Sequence, residues 1–204
     1  MTTLTKPTAR AASTALALEH ASDFAASADN AIKRMCDIFA SLLGIILLTP
    51  VWIIVALAVR LNDGGPAFFT QERVGLNGTT FTMFKFRTMR VDAEAMKASL
   101  VEANEADSSA GNSIMFKMTN DPRITRIGAF LRKTSIDELP QLFNVLRGDM
   151  SLVGPRPPLP SEVAQYEPRV MGKFAVRPGI TGLWQISGRS NLSWDETVHL
   201  DLSY

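Results

Sequence analysis

The hydrophobic pattern divides the chain into three stretches: residues 1–30, 31–61 and 62–204. The first is rich in Ala, Ser and Thr, with one weak helical stretch around Ala11–Ala26, and reads as a disordered or linker tail. In the second, Ile38 to Val59 is apolar and uncharged for 22 residues, long enough to span a bilayer. In the third the pattern breaks into short strand- and helix-period pieces.

The apolar run does not suit a secretory signal peptide. It is too long and too far from the start, and no small-residue cleavage site follows it. A plain transmembrane helix accounts for its length, but two features favour a re-entrant helix. Thr49-Pro50 falls in the middle, where proline removes an amide donor. Lys33 and Arg34 precede the run and Arg60 follows it, so flanking charge selects no direction. A helix that enters one leaflet, breaks at Thr49-Pro50 and returns to the same face satisfies both, with Thr49 helping to satisfy the freed backbone. Asp37 is costly inside lipid and is expected at the interface beside Lys33 or Arg34.

Beyond the turn cluster Asn62–Pro66, strands are expected at Phe68–Val74 and Thr79–Thr88, joined as a hairpin through Leu76-Asn77-Gly78. Alternation in the second puts Lys85 and Arg87 on one face, either as a solvated strand end or as two cations aimed at a phosphate. A mixed-charge helix is expected over Val91–Ala106 and a loop over Asp107–Ser113. Asn120-Asp121-Pro122 reads as a helix start, with Asp121 as cap; that helix runs to about Lys133 and carries Arg123, Arg126 and Arg132. Another short helix is expected over Ser161–Tyr166. The fold class is α+β: a re-entrant membrane helix-hairpin, then a small helix-rich catalytic domain with a short β-hairpin or sheet.

Composition excludes several chemistries. There are 21 Lys+Arg against 20 Asp+Glu, which gives no argument for a nucleic-acid partner. Two histidines and one cysteine rule out a disulfide framework and a Cys/His zinc cage. A single reduced cysteine fits the cytoplasmic side of a membrane. A metal here would need oxygen ligands, which points to magnesium, with manganese as the alternative.

The candidate chemistry centres on Ser135–Pro157. Ser135-Ile136-Asp137-Glu138 has the spacing of a capping box, and on spacing alone the two acids only start a helix. Pro140 weakens that reading, because at the fifth helical position its missing donor is costly. A helix beginning near Pro140 leaves both acids on an irregular turn. Adjacent carboxylates do not suit a glycosidase, which needs two carboxyls about 5 to 10 Å apart across a bond. They suit a division of labour at one phosphate, with one attacking and the other holding a metal. Downstream, Gly154-Pro155-Arg156-Pro157 is a stiff turn whose arginine can grip a diphosphate. Val176–Arg189, with Arg177, Gly179 and Arg189, reads either as a turn-rich surface or as a nucleotide-diphosphate cradle. No G-x-G-x-x-G and no G-K-[ST] loop is present.

The stretches KRMCDIFASLLGIILLTP, GPAFFTQERVG, FKFRTM, LRKTSIDELPQLFNVLRGDMSLVGPRP and RPGITGLWQISGR, in this order, resemble the bacterial sugar transferases, the monotopic phosphoglycosyl transferases. The similarity is greatest to undecaprenyl-phosphate hexose-phosphate transferases that initiate capsule, O-antigen or exopolysaccharide units. Longer members of that family carry further membrane helices and a domain ahead of the catalytic part, so the resemblance is to a short form or a catalytic half. It implies transfer of a sugar-1-phosphate from a UDP-sugar to undecaprenyl phosphate, with release of UMP. Asp137 is then the nucleophile and Glu138 helps hold magnesium. Lys85, Arg87, Arg132, Pro155, Arg156, Arg177, Gly179 and Arg189 are the implied substrate-binding set, and Thr49-Pro50 is the implied break in the membrane helix. The implied location is the cytoplasmic face of the bacterial inner membrane, in contact with lipid, and the resemblance admits a homodimer. Two other readings stand beside it: an inactive membrane-anchored scaffold, and a magnesium phosphatase that passes the group to water.

Overall fold

The computed structural model describes residues 9–97, 121–188 and 192–204. One helix, α1, runs over Ala9–Asp63 and takes in both the small-residue stretch and the apolar run. It is not interrupted at Thr49-Pro50, contrary to the expected break. Pro50 lies inside the helix, and the Thr49 hydroxyl donates to the Ile45 carbonyl at 2.7 Å. Packing on both sides of the proline keeps the axis together. Asp37 and Ser41 before it, and Trp52, Val55 and Val59 after it, form a buried stripe at helical spacing. Met35, Phe39, Leu42, Ile46, Ile53, Ile54, Leu57 and Leu61 are exposed. Asn30–Asp63 is long and apolar enough to cross a membrane.

The hairpin forms as the alternation predicts. β1 (Phe68–Val74) pairs antiparallel with β2 (Thr80–Phe86), with Thr70 opposite Phe84. The connection Leu76–Gly78 is a 3-10 turn, with Asn77 in the left-handed region at φ 55°. Of the helix expected over Val91–Ala106, α2 covers Ala93–Lys97; the remainder, and the loop expected at Asp107–Ser113, lie outside the described residues.

The next helix starts later than Asn120-Asp121-Pro122 suggests. α3 spans Arg126–Thr134, with Thr125 as its cap accepting from the Gly128 amide at 2.9 Å. Asp121 instead takes the Arg123 guanidinium, at 2.6 Å for its shortest contact. The reason is tertiary: Pro122-Arg123 form a turn closed by the Ile124 amide on the Asp121 carbonyl at 3.1 Å, and Ile124 then bridges to Met89 while the Thr125 amide donates to the Thr88 carbonyl, which delays the helix to Arg126.

After α3 come a 3-10 turn at Ile136–Glu138 and α4 over Gln141–Arg147. The strand β3 (Ser151–Val153) follows, then α5 (Pro160–Val163) and a 3-10 segment at Pro168–Ala175. β4 (Gly179–Thr181), α6 (Leu183–Ile186) and α7 (Trp194–Leu202) complete the described elements. β3 and β4 pair in parallel, Ser151 opposite Gly179, a second sheet that strands this short did not announce. The helix expected at Ser161–Tyr166 is a single turn shifted one residue toward the N-terminus.

One apolar core joins Trp52, Val55 and Val59 of α1 to Phe86, Leu131 and Leu142. The other joins Met83, Val145 and Met150. Asn144, fully buried between them, accepts from the Phe84 amide at 3.0 Å and donates to the Thr82 carbonyl at 2.7 Å, which fixes α4 against β2. Arg34 donates to the Val145 and Leu146 carbonyls, closing the C-terminal end of α4 from α1.

Candidate active site

Ser135 adopts the left-handed conformation at φ 57° and makes no side-chain cap. The capping-box reading therefore fails, and the acids sit on the 3-10 turn while the regular helix waits for Pro140. Pro140 has no N–H to give the Ile136 carbonyl, which instead accepts from the Leu139 amide at 3.2 Å in the 3-10 pattern.

Asp137 is 7% exposed, and the charges of Lys85 and Arg132, from different elements, act on it. Burial raises its carboxyl pKa above the ordinary range. Lys85 is the strongest influence in the opposite direction, Glu138 adds to the rise, and Arg132 again lowers it. Glu138 accepts from Lys85 Nζ through Oε1 at 2.9 Å. Arg132, on α3, is itself held below its ordinary value by burial, while Asp137 pulls it upward. Its Nε donates to Thr88 Oγ1 at 2.9 Å. Strand β2, helix α3 and the 3-10 turn thus bring Lys85, Arg132, Asp137 and Glu138 together, as the sequence anticipates.

Among the described residues no group of three His, Cys, Asp or Glu side chains could cage a metal. What the chain offers is an adjacent carboxylate pair, the donor set magnesium uses when phosphates and water complete its shell.

Other expected site residues take different places. Arg87 does not share the phosphate-facing role read for Lys85: it is buried, and its Nη1 donates to Asp63 Oδ2 at the end of α1 at 2.9 Å. Arg156 pairs with Glu162 at 3.1 Å and 3.3 Å. Arg177 donates to the Gly148 carbonyl at 3.0 Å, at the opposite end of α4 from the dyad, about 10 Å of helix away. Gly179 and Pro155 serve the backbone: the Gly179 amide donates to the Pro155 carbonyl at 3.0 Å, and a Cβ on Gly179 would lie 2.1 Å from the Gly154 nitrogen. Only glycine lets β3 and β4 approach this closely. Arg189 lies outside the described residues.

Several residues here had no reading from the sequence. Arg73 on β1 is buried and holds the Pro-Arg-Pro turn by donating to the Pro157 carbonyl at 3.0 Å. Burial, then the charge of Arg156, lowers its pKa to about 10, with Glu162 and Glu138 opposing. Arg73 therefore lies electrically between Arg156 and the dyad. Glu162 also accepts from the Leu159 amide at 2.8 Å, so one carboxylate fixes both the turn and its arginine. Asp37 lies beside Lys33 at 3.4 Å, as expected, and beyond that expectation it is buried, accepting from Ser151 Oγ at 2.8 Å and the Leu152 amide at 3.1 Å.

The acid pair thus sits on a 3-10 turn with cations nearby, in a domain packed on a helix long and apolar enough to cross a membrane. The chain belongs to the bacterial sugar transferase family, whose family model matches residues 28–204. It is 51% identical over 173 residues to galactosyl transferase CpsE of Streptococcus agalactiae, covering 84% of this chain and 37% of that protein. It is 45% identical over 173 residues to the undecaprenyl-phosphate galactose phosphotransferase of Salmonella typhimurium, covering 85% of this chain and 36% of that protein. It is 41% identical over 172 residues to the exopolysaccharide production protein ExoY of Sinorhizobium fredii, covering 84% of this chain and 76% of that protein. The chain thus spans little more than a third of the first two relatives and about three quarters of the third.

Proposed function

We propose that this chain transfers a sugar-1-phosphate from a UDP-sugar to undecaprenyl phosphate, beginning a cell-surface polysaccharide unit. The observation that supports it most is a buried Asp137 on the same turn as Glu138, whose carboxylate takes the Lys85 ammonium at 2.9 Å, with Arg132 adding a second positive charge. The Asp137 carboxylate attacks the sugar-bearing phosphorus of the donor. The bond from that phosphorus to the bridging oxygen breaks, and its electron pair leaves with UMP. A phosphate oxygen of the lipid then attacks the same phosphorus and releases the Asp137 carboxylate. Glu138, with phosphate oxygens and water, would hold magnesium, which supplies charge neutralisation when bound. Lys85 and Arg132 balance the charge that gathers at the dyad. UMP leaves before the lipid reacts, so the kinetics are ping-pong.

Location follows from how α1 is tied. Asp37, just before the apolar run, is bonded to β3, and Asp63, just after it, is paired with Arg87. The intervening helix is about 39 Å long, more than a bilayer's hydrocarbon core. One domain holds both ends, so α1 embeds in one leaflet with its exposed stripe toward lipid and does not carry its ends to opposite faces. Single cysteines at Lys33 and Asn62, in a Cys36→Ser background, are expected to react with an impermeant thiol reagent from the same side of sealed vesicles; opposite sides would contradict the placement.

The direct test is UMP release from a panel of UDP-sugars with magnesium, with and without undecaprenyl phosphate. Lipid-dependent turnover supports the proposal; turnover that ignores the lipid and yields free sugar phosphate would replace it with a phosphatase. The pH profile gives a second check. Asp137 must be ionised to attack, and burial lifts its pKa, so the acid limb of kcat/KM is expected above the ordinary aspartate value of about 3.9. Lys85→Met removes the strongest opposing charge and moves that limb to higher pH; an unmoved limb would mean another group controls it.

A further inference from the structure

We infer that Thr88, in the Arg87-Thr88-Met89 segment that follows β2, is a positioning residue for the transfer: its hydroxyl fixes the guanidinium plane of Arg132, in the last turn of the helix that leads into the Asp137 turn. The inference rests on the transferase reading above. Thr88 is 6% exposed and sits where three constraints meet. Arg87 before it is paired with Asp63 of α1. Met89 after it bridges to Ile124, and the Arg90 amide donates to the Arg123 carbonyl at 2.9 Å. The Thr88 carbonyl accepts from the Thr125 amide at 3.0 Å.

The backbone and the side chain of Thr88 do separable jobs. Docking of α3 is backbone work: beside the Thr125 bond, Gly128 packs so closely that a Cβ there would lie 1.9 Å from the Thr88 carbonyl oxygen. The hydroxyl accepts from Arg132 Nε at 2.9 Å, one turn beyond Gly128. A guanidinium held at Nε keeps its two outer nitrogens pointed as a fork, the geometry that recognises a phosphate. With the Nε contact gone, a buried arginine retains its charge but loses that orientation. Lys85 reaches the dyad from β2 itself through Glu138, so β2 and the segment just after it set both cations of the site.

Thr88→Val preserves shape and backbone and removes only the acceptor. It is expected to lower kcat about tenfold, to change KM for the UDP-sugar less than threefold, and to leave Tm nearly unchanged. Thr88→Ser is expected to restore kcat to within threefold of wild type. In an Arg132→Ala background the added Thr88→Val change is expected to cost less than twofold, because the group it acts through is gone. A tenfold loss that persists without Arg132, or a Thr88→Ser variant as slow as the valine, overturns the assignment. A binding-independent readout is the Arg132 Nε–H resonance, identified by its loss in Arg132→Lys. Slow solvent exchange is expected in wild type and Thr88→Ser, and fast exchange in Thr88→Val; equal exchange in all three overturns the contact. If wild type releases no UMP from any donor, the transferase reading is what fails, and the Nε–H comparison still decides the Thr88 contact.

Discussion

Asp137→Asn is expected to reduce sugar-phosphate transfer by at least about 10³-fold, because removing a nucleophile leaves only binding and electrostatics to act. The same change is expected to leave the protein at least as stable as wild type near pH 7–8. Burial raises the Asp137 pKa in the folded chain. A group with a raised folded pKa adds stability below its unfolded pKa, and that stability is lost as pH rises through the folded pKa. The ionised carboxylate is therefore a net cost at neutral pH, which asparagine relieves. The stability difference is expected to shrink as pH falls toward 4, where the acid becomes protonated. Thermal melts of both proteins across that range check it; an asparagine variant clearly less stable at neutral pH would show that Asp137 is a structural acid.

The second large effect lies away from the dyad. Lys173 and Asp201 are both buried and meet at 2.5 Å, tying the 3-10 segment Pro168–Ala175 to α7. Burial lowers the Lys173 pKa, and the nearby Asp201 opposes that fall. Lys173→Met leaves an unpaired buried carboxylate and is expected to cost about 3–5 kcal/mol. That corresponds to a fall in Tm of roughly 6–20 °C. Lys173→Met with Asp201→Leu removes both charges and is expected to recover most of the loss. Recovery separates a desolvation penalty from simple loss of packing; a double variant worse than the single would assign the effect to packing.

The parts of the site that were legible in the sequence are those written in local chemistry. Asp137-Glu138 before Pro140 announces an irregular turn because proline forbids the regular one, and Lys85 and Arg132 lie in segments whose periods were readable. Asp37, Asp63, Thr88 and Glu162 were not legible, because each gains its role from where the chain folds. Asp37 meets Ser151, Asp63 meets Arg87, and Thr88 meets Arg132. Asp121-Pro122 misled for the same reason: a local start signal was overridden by the Met89–Ile124 bridge, and Thr125 took the cap. The Thr49-Pro50 pair has a real local effect, seen in the Thr49 bond to Ile45, but tertiary packing on both sides holds the helix through it. Arg87 and Arg177, a substrate-binding role for which only the family resemblance implied, are engaged by the fold with Asp63 and the Gly148 carbonyl.

The central claim is that Asp137 carries the sugar phosphate between donor and lipid. Intact-protein mass spectrometry tests it most directly, on detergent-solubilised protein mixed with magnesium and each UDP-sugar in turn, with no lipid acceptor. A sugar-phosphate increment on wild type, absent in Asp137→Asn and discharged by added undecaprenyl phosphate, is the predicted result, and the sugar that reacts names the donor. Lipid-dependent turnover with no increment at any time after mixing, or an increment that survives in Asp137→Asn, would contradict it.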